Sequence, residues 1–137
     1  MKTTLRFTAL LAIIAIICAT FVSCGAPDSD PSKAVKKLKE NNVNWAFVDD
    51  YGLPLSLKLF GVEGVDTTVT GTGKIDDKYA HITIVYFHEA KDAKTAYEKV
   101  EKYSQKNKGE ADDSEWIVKR SGKMVYFGTK EAIKAAK

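Results

Sequence analysis

Cysteine is nearly missing from this chain: its 137 residues contain two, Cys18 and Cys24, and none follows. From residue 25 onward that excludes an internal disulfide, a Cys-ligated metal site and a cysteine nucleophile. Histidine is as scarce, with only His81 and His88. Their odd separation of seven puts them on opposite faces of a regular strand, so they are not expected to share a metal ion or act as a pair. No sign of charge dominates either, with 21 Lys plus Arg against 18 Asp plus Glu. That is no nucleic-acid footprint. The longest greasy run, residues 7–22, is shorter than the roughly 20 residues a spanning helix needs.

The motifs of common chemistries are lacking too. GTGK at 71–74 fails as a phosphate loop, because Thr68 stands where the first glycine belongs and Ile75 follows Lys74 in place of Ser or Thr. No G-x-S-x-G elbow is present for a serine nucleophile. The acidic pairs Asp49-Asp50, Asp76-Asp77 and Asp112-Asp113 fall in expected loops, where Asp bonds nearby backbone. None belongs to a calcium loop, and no metal or other cofactor is expected.

What is present begins at the N-terminus. Lys2 and Arg6 precede the apolar run, the order of a secretory signal segment. Phe21-Val22-Ser23-Cys24 then resembles the lipobox of bacterial lipoproteins, with Phe21 where leucine is usual. Cys18 is excluded from that role by the bulk of Ile17 before it. The resemblance implies cleavage before Cys24, a diacylglyceryl group on its thiol and attachment to the extracytoplasmic side of a membrane. In a cell with two membranes, Gly25 after the cysteine implies the outer one. Lipidation also has a physical sense, since each buried CH₂ contributes about 0.8 kcal/mol and two or more chains anchor stably. The expected organisation is a signal segment (1–23), a lipidated cysteine with a tether (24–30) and one small domain (31–137).

Within the domain, Asp30-Pro31 reads as an N-cap and first helical residue, opening a helix to about residue 42. VNWAFV (43–48) alternates as a strand, with Val43, Trp45 and Phe47 on one side and Asn44, Ala46 and Val48 on the other. A short helix is expected in 52–61, opened by Pro54. Strands follow at 65–73, with glycines suggesting a bulge, and at 79–87. Ala93, Ala96, Tyr97, Val100 and Tyr103 mark an amphipathic helix over 89–106. EWIVKR and KMVYFG form a hairpin through Ser121-Gly122, and Thr129 caps a last helix. The expectation is an α+β fold: an antiparallel sheet of about five strands with helices mainly on one face. Its element order resembles the ferredoxin-like βαββαβ class, with an extra N-terminal helix and an extra C-terminal strand and helix.

On that hairpin, Trp116, Val118, Val125 and Phe127 form the expected core side. The reverse side, with Ile117, Lys119, Met124 and Tyr126, is more apolar than a solvated face requires. It is either covered by a terminal helix or offered to a partner, and with His81 on the sheet it forms the candidate binding surface. The expected function is a non-enzymatic binding or interaction module of the cell envelope, its partners the membrane and an envelope protein or small ligand. The alternatives are an inhibitor or immunity-type protein, with the loop NKGEADDS as its key segment, and a small hydrolase using His81 with a loop carboxylate.

Overall fold

A computed structural model describes residues 25–109 and 115–137. Cys24 and the whole lipobox, Asp112-Asp113 and most of the NKGEADDS loop lie outside the described residues. The described chain forms α1 (Pro31–Glu40), β1 (Trp45–Asp49), α2 (Gly52–Leu59), β2 (Val65–Ile75), β3 (Lys78–Phe87), α3 (Ala90–Lys106), β4 (Trp116–Ser121), β5 (Met124–Thr129) and α4 (Lys130–Ala135).

Local chemistry sets most boundaries. The Asp30 carboxylate accepts from the Ser32 N–H at 2.9 Å, and Pro31 costs α1 no hydrogen bond at the first helical position. Asp49 does the same work for α2, accepting from the N–H groups of Tyr51, Gly52 and Leu53 at 2.8–3.0 Å. Burial of that carboxylate favours its proton, but the three donors outweigh it and hold the acid below its ordinary value. Between β2 and β3, Asp76 and Asp77 both take positive φ (52° and 62°), as a two-residue type I′ hairpin demands. Between β4 and β5 the loop is Gly122-Lys123, with Gly122 at φ 55° and Ser121 paired to Met124. The expected Ser121-Gly122 loop is therefore displaced by one residue, because only Gly122 takes the left-handed conformation without strain. Each expected cross-strand pair moves by two positions, which leaves the faces unchanged.

The five strands form one antiparallel sheet in the order β1-β2-β3-β5-β4. This differs from the ferredoxin-like arrangement expected from element order. β1 and β2 are hydrogen-bonded neighbours although α2 separates them in sequence, so the first half is not a split βαβ unit. α3 alone makes such a crossover, carrying the chain from β3 past the position of β5 to β4. The glycines of β2 mark no bulge; the irregularity sits between Val65 and Thr67. Gly73 instead allows close approach, since a Cβ there would meet Val43 Cα at 2.9 Å.

The helices do not gather on one face, as the sequence suggested. α1 and α4 pack against Val69, Ala80, Ile82, Ile84, Tyr86, Met124 and Tyr126, whereas α2 and α3 pack against Val85, Phe87, Val125 and Phe127. The reason is in β3 and β5, whose side chains are buried on both sides. A strand apolar in both alternations needs two covers. Each fully buried Leu, Ile or Phe contributes about 1.5–3 kcal/mol relative to exposure, so both layers are core.

Residues 25–30, expected as a free tether, lie on the domain. Pro27 is buried and Ala26 packs on the α1/α4 core. The phenol of Tyr126 donates to the Gly25 carbonyl at 2.7 Å, and that of Tyr86 donates to the Asp28 carbonyl at 2.8 Å. The Asp28 N–H donates to Ala136 O at 3.2 Å, and Lys37 pairs with the Asp28 carboxylate at 3.0 Å. The Asp30 N–H, followed by the Lys37 ammonium, holds that carboxylate below its ordinary value.

Candidate functional site

The five residues expected to form a binding surface do not share one. Met124 and Tyr126 are buried beneath the terminal segments, Tyr126 to 1% exposure, and Ile117 packs partly against the same core. Lys119 is exposed. His81 belongs to the opposite face, because it alternates with Ile82 and Ile84, and Ile84 pairs with Tyr126. The apolar reverse of the β4/β5 hairpin is thus lidded by α1, α4 and residues 25–28.

The open surface lies elsewhere, on the α2/α3 face at the end of the sheet away from the N-terminus of α3. There the register aligns Trp45 with Thr72 and Thr72 with His81 in one row, and Phe47, Thr70 and Thr83 in the next. Trp45 is 76% exposed, Phe47 53% and Tyr79 52%. Strand geometry explains this cluster: residues two apart share a face, and neighbouring strands lie about 4.8 Å apart. The alternation grouped Val43 with Trp45 and Phe47. The structure buries Val43 and Ala46 against the α1 side instead, leaving the two large rings outward.

A file of rings runs inward from this corner. Tyr79 stacks on His81 with centroids 6.4 Å apart, and His81 stacks on Trp116 at 5.9 Å with planes 10° apart. Trp116 meets Phe127 at 6.0 Å, and Tyr103 meets Phe127 edge-on at 6.4 Å. Within the file, His81 Nε2 lies 3.1 Å from the Thr83 hydroxyl, and the His81 N–H donates to Thr129 Oγ1 at 3.1 Å. Thr129 was expected to cap α4. Its side chain makes no cap bond, and its hydroxyl serves β3.

Two polar atoms in the file are buried without partners among the described residues: His81 Nδ1 and Trp116 Nε1. An unpaired buried donor or acceptor costs about 1–3 kcal/mol, so the corner carries unsatisfied hydrogen-bonding capacity. Burial also holds the His81 imidazole below its ordinary value of 6.5, which favours the neutral ring. Among the described residues no carboxylate lies within ion-pair distance of His81. The histidine near an acid is His88, whose Nδ1 is 3.7 Å from Asp66, with both side chains largely exposed. No three His, Cys, Asp or Glu side chains converge among the described residues.

Comparisons with known proteins add no relative. The chain matches no family model, no curated protein and no solved structure. Function must therefore be argued from this corner and from the N-terminal residues.

The corner presents rings for stacking, Thr70 and Thr72 hydroxyls for hydrogen bonds, and an imidazole whose neutral form burial favours. Its signal in the sequence was the aromatic content of WAFVDDY. Tyr79 and Trp116, distant in sequence, both stack on His81 only through the order of strands. No helix of the described residues is long and apolar enough to cross a membrane.

Proposed function

We propose that this chain is a membrane-anchored extracytoplasmic lipoprotein whose α+β domain is a non-enzymatic binding module, with the Trp45/Phe47/Tyr79 corner as its binding face. One observation carries the binding half of this reading. Three large aromatic residues, Trp45, Phe47 and Tyr79, stand exposed on regular strands and on the same face of the sheet. Rings fixed on strands lose little entropy when covered. The anchoring half rests on Lys2, Arg6, the apolar run and Phe21-Val22-Ser23-Cys24.

The docked N-terminal segment supports combining the two. Gly25 is held on the α1/α4 face by Tyr126, so an acyl group on Cys24 would bring that face toward the lipid. The aromatic corner, on the opposite face, would look away from the membrane toward envelope partners. With residues 25–28 fixed to the domain, little slack is left between lipid and protein.

Capture from envelope extract tests the binding face. Wild type should retain a partner that Trp45→Ala and Tyr79→Ala lose; equal capture by all three removes the proposal. For the anchor, Cys24→Ala should block processing or release the chain from the membrane fraction. Unchanged mass and fractionation would remove lipidation.

A further inference from the structure

The two edges of the sheet are protected differently. β4 closes one edge with the sequence WIVKRS, whose Lys119 and Arg120 are exposed; charges on an edge oppose the addition of another strand. β1 closes the other with WAFVD, free of lysine, arginine and proline, in unbroken register with β2. Its one acid, Asp49, is occupied by the N–H groups of α2. Among the described residues no strand pairs with the outer side of β1. Trp45, Phe47 and Val48, three of its five side chains, are exposed. An unpaired, apolar, unbulged edge is a template for strand addition.

We propose that β1 pairs antiparallel with β1 of a second copy of this chain, joining two five-stranded sheets into one continuous sheet about a two-fold axis. Antiparallel pairing of identical strands is self-complementary, as an isologous interface requires. Trp45 and Phe47 of one copy then lie on the same face as those of the other, where aromatic cross-strand pairs are favourable. The two aromatic corners merge into one surface, so the binding face proposed above is completed by its partner.

The position of the N-terminus favours a second copy over another kind of occupant. The two-fold of an antiparallel pair stands perpendicular to the sheet and keeps each face on its own side. Both α1/α4 faces, and with them both Gly25 positions next to the proposed lipid attachment at Cys24, point the same way. Two copies attached to one membrane can therefore pair without either turning over. This last argument rests on the proposed anchor; the unprotected edge does not.

The interface is small. A large aromatic side chain offers roughly 150–250 Å², so the exposed parts of Trp45 and Phe47 bring on the order of 300 Å² per copy. Even with the backbone edge added, this stays below the roughly 800 Å² per partner of a standard stable complex. A reversible dimer follows, one that confinement to a membrane would strengthen by raising effective concentration.

Sedimentation velocity of the full-length chain in dilute detergent tests the pairing apart from any membrane or ligand. Wild type should pass from one to two copies per particle as concentration rises. Phe47→Lys, which sets two like charges near the axis, should weaken association about tenfold or more. Trp45→Glu should act in the same direction as a second variant, and Lys119→Glu on the opposite edge should associate like wild type. Circular dichroism confirms that each variant is folded. A single copy at all concentrations overturns the proposal, as does wild-type association by both β1 variants or loss of association in Lys119→Glu.

Discussion

On one side of the sheet, Ala80, Ile82, Ile84, Tyr86, Met124 and Tyr126 lie sealed under α1, α4 and residues 25–28, and even the tyrosine hydroxyls are bonded to backbone carbonyls. On the other side, α2 and α3 seal Val85, Phe87, Val125 and Phe127 but leave Trp45, Phe47 and Tyr79 in solvent and two buried polar atoms without partners. The same strands build both. The closed side spends its polar atoms on itself, while the half-open side keeps rings and unsatisfied atoms at its rim. Both sides supply core, so the contrast lies at the rim, and recognition is expected at the aromatic corner of the half-open side.

The strongest test of that division is Leu38→Ala, which empties a fully buried site under α1. A loss of about 2–5 kcal/mol is expected from such a truncation, read from the midpoint of denaturant unfolding. A loss below about 1 kcal/mol would mean that the closed face is not packed as core. Next in size is Tyr126→Phe, which keeps the ring but deletes the bond to Gly25. About 1 kcal/mol is expected, with faster amide exchange in residues 25–30. Burial raises the Tyr86 and Tyr126 hydroxyls above their ordinary value of 10.0, with Asp28 adding to the effect at Tyr86. The stability they contribute is complete below pH 10 and is lost as pH rises through the folded values.

On the half-open face, the test is acid. Burial lowers the His81 value below 6.5, so the unfolded chain binds the proton more readily. Its contribution is present above pH 6.5 and is lost as pH falls through the lower folded value. Unfolding measured across that window should show stability falling toward acid, and His81→Phe should flatten the slope. An unchanged slope would show that His81 is not the group responsible. The smallest effect on stability is expected from Trp45→Ala, within about 0.5 kcal/mol because its ring is mostly solvated. The same substitution should have a large effect on capture of a partner. A large stability loss instead would make Trp45 a packing residue and erase the contrast between the faces.

Much of the fold was legible from residue types. Asp30-Pro31 marks the start of α1, the spacing from Ala93 to Tyr103 marks α3, and IDDK marks the β2/β3 turn. Each is a local rule acting within a few residues. The site was far less legible. Ile117, Met124 and Tyr126 are apolar in the right alternation, yet alternation says only that a strand has two faces, not which one a distant helix will cover. The alternation of Trp45 and Phe47 likewise marked a strand without saying that the neighbouring helices would leave their side uncovered. The Ser121-Gly122 loop was placed one residue early because composition names the turn but the left-handed glycine sets its register.

By itself, the sequence determined the succession of helices and strands, the absence of cysteine after Cys24 and the resemblance to a lipobox, because these are properties of the chain and its local neighbours. The tertiary structure alone decided that β1 lies at an open edge, that residues 25–28 are fastened to the domain, and that Tyr79, His81 and Trp116 stack. Those outcomes depend on which strands become neighbours and where the helices land, and both are set by burying two opposed apolar faces at once.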